Sequence, residues 1–187
     1  MKRLVLLLAL FATPAAASDV CDDLWFTRNL IMDRAGYCFG SALGQAVFDN
    51  GNCIGKSVSL SAQLQRQVAE IRELERLIPC KVDTSRTRLD LPDLETRRKL
   101  IDLPVRDEFE SGCIGWQRDR SPLYAGHDDG TAIIGRVEPG DDVLWSHRSQ
   151  VEGWDYVMVM QPGWGQVKSA GWMRSPTDSS ACRQWAG

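Results

Sequence analysis

The sequence predicts an α+β protein with two domains, a small disulfide-linked helical domain followed by an all-β domain. Apolar residues recur every three or four positions in the first half, whereas short β-branched or aromatic runs separated by turns fill the second half. The predicted organisation is a signal peptide at residues 1–17, a helical domain at 18–80, a charged connector at 81–112 and a β domain at 113–187.

The amino-terminal residues have the pattern of an export signal. Lys2 and Arg3 precede a short apolar run, and the small residues Ala15–Ala17 form a cleavage site before Ser18. The apolar run is about half of the roughly 20 residues that a membrane-spanning helix needs. We therefore expect a periplasmic or secreted protein with no membrane span after signal cleavage.

Three helices are predicted in the amino-terminal domain. The first covers residues 22–35, with Asp22 and Asp23 at its N-terminus, where carboxylates meet unpaired amides. A shorter helix is predicted over residues 41–48. The longest covers residues 60–78, where apolar residues draw one stripe along a helix, typical of a core-facing helix.

Residues 81–112 differ in composition from the segments on either side. Charged residues dominate, apolar residues are sparse and two prolines interrupt the stretch. The pattern predicts a solvated connector with a helical turn or two around residues 92–103.

The carboxy-terminal segment has the short strand-like runs of a small barrel or sandwich. They cover residues 132–137, 141–147, 154–160 and 163–173, with turn sequences rich in Gly and Asp between them.

Tryptophan is frequent, with seven in 187 residues. Trp154 and Trp172 precede or close strand runs and are predicted in the core. Because few large rings fit in so small a core, Trp145 and Trp164 are predicted to be exposed and to form, with Tyr124, a groove for an extended peptide or glycan. The alternative is that they are surface aromatics without a ligand.

Residues 25–48, "WFTRNLIMDRAGYCFGSALGQAVF", resemble the YARHG domain, an extracellular bacterial module. The resemblance covers about residues 21–80 and is greatest to a cysteine-containing branch of exported proteins of unknown function. It implies no catalytic chemistry. The matching residues are Arg28, Asn29, Ile31, Arg34, Gly36, Tyr37, Phe39 and Phe48.

Residues 114–175 are similar to bacterial SH3-like domains. The pieces "PLYAG", "IIGRVEPGDDV", "EGWDYV" and "GWM" follow one another in the order found in that family. The resemblance implies an SH3-like β-barrel and a role in binding cell-wall peptides or proteins, although this fold serves many functions.

Six cysteines in an exported chain indicate disulfide bonds. A zinc site needs closely spaced ligand pairs, which are absent from the sequence, so no metal is expected. Many pairings are possible, and the sequence does not choose among them. The preferred hypothesis keeps each bond within one domain, as Cys21–Cys80, Cys38–Cys53 and Cys113–Cys182.

Polar residues of the first helix and of the turns are candidate site residues. Arg28, Asn29 and Arg34 can form an anion pocket, but a structural role in bonding backbone carbonyls is preferred. His127 lies in a turn sequence, and His147, which has no obvious acidic neighbour, is predicted at the surface.

The function expected from these observations is that of an exported, non-catalytic binding module of the cell envelope. Its ligand would be a cell-wall peptide or glycan, or an envelope protein; no cofactor is expected. The net charge of −3 and the lack of a basic cluster argue against nucleic acid. The alternatives are an envelope-polymer hydrolase that uses Glu108, Glu110 or His127 as acid and base, and a toxin- or inhibitor-type protein that docks through a broad apolar patch.

Overall fold

The computed structural model describes residues 15–176 and 179–187, with side chains from Val20 onward. Helices fill the first half of the chain and strands the second, so the predicted mixed helix-and-sheet architecture is confirmed. The helices are α1 (Ala15–Arg34), α2 (Ala42–Val47), α3 (Ala62–Leu77) and α4 (Leu94–Arg97). The strands are β1 (Arg106–Trp116), β2 (Ser121–Tyr124), β3 (Ile133–Val137), β4 (Asp142–His147), β5 (Trp154–Met160), β6 (Val167–Arg174) and β7 (Cys182–Ala186).

Helix α1 begins earlier than the sequence analysis predicts. The predicted signal peptide at residues 1–17 lies outside the described residues except for Ala15–Ala17, which form the first turn of α1. Asp22 and Asp23 therefore lie inside the helix, and their predicted place at its N-terminus is wrong. The reason is that alanine, the residue that fits a cleavage site, is also the strongest helix former. Over residues 15–176 and 179–187, no helix combines the length and the hydrophobicity that crossing a membrane requires.

The strands form one antiparallel sheet in the order β3-β2-β6-β5-β4-β1-β7. The described part of this sheet is open, with β3 and β7 at its two edges, so it is not the closed barrel that was predicted. Helices cover one face of the sheet, and this face is therefore buried without closure of the sheet on itself.

Both faces of the sheet are buried at its centre. Along β5, Tyr156 and Met158 belong to a core shared with α1, α3 and α4, whereas Val157 and Val159 belong to a second core on the opposite face. This alternation follows from the two-residue period of a strand. The predicted core residues Trp154 and Trp172 both lie in the core on the helix side.

The segment predicted to be a solvated connector contributes to the shared core. Its residues Leu89, Leu100, Leu103 and Val105 are buried there, and β1 begins within it at Arg106. The expectation that its charges are solvated is wrong for Arg97, which is 1% exposed. The division into domains at 18–80, 81–112 and 113–187 stays a prediction.

Disulfide bonds link the ends of the structural units. They join Cys21 to Cys80, Cys38 to Cys53 and Cys113 to Cys182, the same pairs as in the preferred hypothesis. The bond between Cys113 on β1 and Cys182 on β7 crosses neighbouring strands.

Candidate functional site

A buried polar cluster centred on Arg97 connects the helices to the sheet. The Arg97 guanidinium donates from Nη1 to Asp23 Oδ1 at 2.7 Å and to Thr27 Oγ1 at 3.0 Å, and from Nε to Asp93 Oδ2 at 2.9 Å. The Tyr156 hydroxyl on β5 also donates to Asp93 Oδ2, at 2.8 Å. Since Asp23 is on α1, Asp93 directly precedes α4 and Tyr156 is on β5, Arg97 and Asp93 together tie three parts of the chain to one another.

His147 completes this cluster, so its predicted position at the surface without an acidic neighbour is wrong. Its Nε2 lies 2.7 Å from Arg97 Nη2 and 3.1 Å from Asp23 Oδ2. Burial lowers the pKa of His147, and the attraction of Asp23 does not reverse this because Arg97 lies beside the ring. A neutral ring that accepts from Arg97 at Nε2 carries its proton on Nδ1, which lies 3.2 Å from Ser146 Oγ.

The pKa of Asp23 moves downward within the same cluster. Burial alone would raise the pKa of this carboxyl, but the positive charge and hydrogen bonds of Arg97, together with His147, lower it well below its usual range. Asp23, Arg97 and His147 therefore carry one negative charge, one positive charge and no charge, respectively, at neutral pH.

Hydrogen bonds connect Ser146, His147 and Asp23 in the order of a nucleophile, a base and the carboxylate that orients the base. This row is nevertheless closed to substrates. Ser146 is 1% exposed, so a carbonyl group has no access to its Oγ. Both ring nitrogens of His147 already have partners within the protein. The cluster is suited to fixing α1 against the sheet rather than to nucleophilic chemistry.

An open cavity of about 430 Å³ lies near the β7 edge of the sheet, beside this cluster. Trp145 pairs with Ser111 across β4 and β1, and Trp185 pairs with Cys113 across β7 and β1, so the two indoles are neighbours. Their ring centroids are 5.5 Å apart, with an angle of 35° between the planes. The cavity is lined by Asp107, Phe109, Glu110, Ser111, Trp145, His147, Ser149, Asp155, Pro176 and Trp185. We call it the Trp145–Trp185 cavity.

Hydrogen bonds hold the aromatic wall of this cavity in place. Trp185 Nε1 donates to the Ser179 carbonyl at 2.9 Å, and Trp145 Nε1 donates to Asp155 Oδ2 at 3.3 Å. The other oxygen of Asp155 accepts from the Ser149 hydroxyl. The rings and the carboxylate are thus positioned by the protein itself.

An irregularity in β1 exposes the wall of the cavity that this strand forms. The pairing of β1 with β4 shifts register between Arg106 and Ser111. A bulge of this kind redirects side chains, and Phe109 in this stretch is 80% exposed at the cavity.

Family comparisons divide the chain into two adjoining matches. Residues 2–76 match the YARHG domain, so the YARHG resemblance is confirmed. Residues 79–187, more than half of the chain, match the family described as "Domain of unknown function (DUF4453)". The chain belongs to the DUF4453 family. Comparison with curated proteins and with solved structures finds no match.

The disulfide bonds and the YARHG domain of this DUF4453 chain favour a secreted or periplasmic location. Disulfides persist in oxidising compartments and are rare in the cytosol. Within the two described ranges, no group of three or more His, Cys, Asp or Glu side chains is placed to hold a metal ion.

The three predicted binding residues lie at three different places in the DUF4453 segment. Trp145 lines the Trp145–Trp185 cavity, whereas Tyr124 packs edge-on against Trp154, with 5.6 Å between ring centroids. Trp164 is 39% exposed and covers Gly112. Gly112 follows Ser111 on β1, so it faces the side of the sheet opposite to Ser111 and its partner Trp145. The structure does not bring them into one groove.

The residues considered for acid–base chemistry are also dispersed. Glu110 pairs with Arg106 at the cavity, and Glu108 is exposed on β1. His127 lies in the turn between β2 and β3, with its ring edge-on to Trp172 and its Nε2 3.5 Å from Asp102.

The polar residues of the YARHG segment have protein partners. Arg28 forms a two-pronged ion pair with Glu75 on α3, and Asn29 donates to the Trp25 carbonyl at 2.7 Å. Arg34 donates to the carbonyls of Arg98 and Leu100. These contacts fit the preferred structural role.

Sequence reasoning missed Phe109 and Trp185 at the cavity, and Asp23 and Arg97 in the polar cluster. Phe109 stands in a charged stretch, and β7 is too short for its alternation to be recognised. The one available signal was the spacing of Asp23 and Thr27, four residues apart and therefore on the same face of a helix.

Proposed function

We propose that this DUF4453 chain is an exported, non-catalytic binding module of the cell envelope, which holds a peptide, glycan or protein partner in the Trp145–Trp185 cavity. The observation that carries the proposal is the convergence of exposed aromatic residues on this cavity. Phe109 is 80% exposed and Trp185 40% exposed, and both line it beside Trp145. Large exposed rings in one place are typical of binding sites.

The arrangement of the cavity also supports a binding role. Asp155 is already oriented by Trp145 and Ser149, so a ligand meets a polar group that needs no rearrangement. The volume of about 430 Å³ falls within the range of small-ligand and side-chain pockets. The cavity is open, as capture of one segment of a larger polymer requires.

The predicted SH3-like character of residues 113–187 and the association with the envelope belong to this proposal. Short antiparallel strands with both faces covered are compatible with an SH3-related fold, and SH3-like modules commonly bind extended peptides. The disulfide bonds support a place outside the cytoplasm.

The test is retention of the purified, disulfide-intact protein on peptidoglycan sacculi and on immobilised envelope extract. We expect retention of the native chain and loss of most of it in the variant Trp185→Ala. The comparison is Trp164→Ala, which removes an indole of nearly the same exposure on the opposite face of the sheet. Retention that depends on Trp164 but not on Trp185 would place binding elsewhere.

The same samples test the catalytic alternative, which stays a prediction. Soluble fragments released from sacculi by the native chain, and lost in a variant carrying Glu108→Gln, Glu110→Gln and His127→Ala, would support a hydrolase. The binding proposal expects no release above that from sacculi incubated alone.

A further inference from the structure

We propose that the group bound in the Trp145–Trp185 cavity is the primary ammonium group of a lysine-type side chain of a peptide. This inference rests on the proposed function and names the ligand chemistry of the same site. It follows from the aromatic rings, from the charges that line the cavity, and from the absence of cationic side chains among its lining residues.

The rings offer a surface for a cation rather than a slot for a flat ligand. With 5.5 Å between the centroids of Trp145 and Trp185, there is no room for a group between them. A cation within about 6 Å of both rings is attracted by the negative face of each indole. Phe109 borders the same cavity and offers a third ring.

The charged residues of the cavity are acidic. Asp107, Glu110 and Asp155 line it, and the residues that line it include no lysine or arginine. Glu110 is paired with Arg106. In the part of the chain that the structure describes, Asp107 and Asp155 form no ion pair, so two carboxylates remain uncompensated at the cavity.

Asp155 retains acceptor capacity for a ligand. Two hydrogen bonds, from Trp145 and Ser149, occupy one position on each carboxylate oxygen. Two carboxylate oxygens offer about four lone-pair positions, so an ammonium donor has sites available. A hydrogen bond between charged partners is stronger than a neutral one and would fix the orientation of the ligand.

His147, which also lines the cavity, does not supply a competing positive charge at neutral pH. The ring is held by Arg97, Asp23 and Ser146, and burial lowers its pKa. The field at the cavity is therefore that of the carboxylates, which attracts a cation and repels an anion.

The experiment titrates two short peptides against the full disulfide-intact chain labelled with ¹⁵N. One is a blocked Ala-Lys-Ala peptide, and the other is the same peptide with its lysine acetylated, which removes the charge and retains the length. We expect the indole N–H signals of Trp145 and Trp185 to shift with the first peptide, and acetylation to weaken binding about tenfold.

Two isosteric variants identify the carboxylates. Asp155→Asn and Asp107→Asn are each expected to weaken binding of the lysine peptide severalfold, and added salt should weaken it further. Leu77→Ala, an exposed apolar change on α3, serves as the matched control. The unfolding midpoint of each variant shows whether the fold is intact. If Asp155→Asn is destabilised, the effect of Asp107→Asn on peptide binding decides whether the carboxylates contribute.

The outcomes separate this inference from the proposed function. Equal binding of both peptides, no shift of either indole signal, or stronger binding of a neutral oligosaccharide that is insensitive to salt would overturn the ammonium assignment. Retention on sacculi that still requires Trp185 in such a case would leave the binding function standing. Retention independent of Trp185 would remove both.

Discussion

Replacing Arg97 by methionine is expected to destabilise the protein strongly. Methionine has a similar volume, a shorter side chain and no charge, so the change removes the bonds to Asp23, Thr27 and Asp93 without opening a large cavity. Removing one partner of a buried ion pair costs about 3–5 kcal/mol because the remaining charge stays buried. Since two carboxylates lose the same guanidinium, we expect the upper end of this range.

A loss of this size is a large fraction of the roughly 5–15 kcal/mol that stabilises a typical domain. The measurement is urea unfolding followed by tryptophan fluorescence with the disulfide bonds intact. Arg76→Met is the control, since Arg76 pairs with Glu73 at the surface and its loss should leave the unfolding midpoint nearly unchanged.

The cost of Arg97→Met should also depend on pH. Without the neighbouring guanidinium, His147 can accept a proton next to Asp23, and this restores part of the lost pairing. We therefore expect a smaller loss of stability at mildly acidic pH than at alkaline pH. Equal midpoints for Arg97→Met and Arg76→Met would refute the central role of the buried cluster.

Three further effects are expected on stability and local structure. Replacing Cys113 and Cys182 by serine should cost about 4 kcal/mol, because the bond closes a loop of 69 residues and limits the unfolded chain. Stability of the native chain should fall as pH decreases below 6.5, since the lowered pKa of His147 means that only the unfolded state takes up the proton there. Gly112→Ala should displace Trp164, because an added Cβ would lie 2.3 Å from the indole. We expect the free energy of unfolding to fall by about 1–3 kcal/mol. Thermal unfolding measures this loss, and the indole N–H signal of Trp164 reports the displacement.

Each of these effects has a matched comparison. Serine replacement of Cys38 and Cys53, whose loop spans 15 residues, should cost less, about 3 kcal/mol; a larger loss than for the longer loop would contradict the loop-entropy argument. His147→Gln should flatten the pH dependence of urea unfolding near 6.5, and an unchanged slope would assign it to other groups. Gly40→Ala has room for its methyl group and should leave the Trp164 signal in place, whereas a Gly112→Ala spectrum identical to the native one would exclude the close approach.

Elements with a strong local pattern could be predicted from the sequence. The apolar stripe of α3 and the alternating runs of β4 and β5 decide their conformation within a few residues, and the structure contains them. The start of α1 was misplaced because Ala15–Ala17 satisfy the requirements of a cleavage site and of a helix equally well.

Local sequence patterns do not show which side chains pair across long stretches of the chain. Arg97 stands among charged residues that indicate a solvated segment, and its partner Asp23 lies 74 positions earlier in the chain. His147 was placed at the surface because its acidic neighbour is 124 positions away. Of the three binding residues predicted from the sequence, only Trp145 lines the Trp145–Trp185 cavity, and the second indole comes from a short edge strand that pairs with distant β1.

The core shared by helices and sheet has a consequence for the order in which the molecule can assemble. Helix α1 packs against Phe48 and α3 within the first half of the chain, whereas Arg97 and His147, which bond its buried Asp23, lie in the second half. Oxidation of Cys21 with Cys80 can occur earlier but leaves Asp23 without these two partners. The polar side of α1 is therefore completed only after His147 has been synthesised, and a fragment cut between residues 76 and 79, where the two family matches adjoin, should be more sensitive to protease than the same region of the full chain.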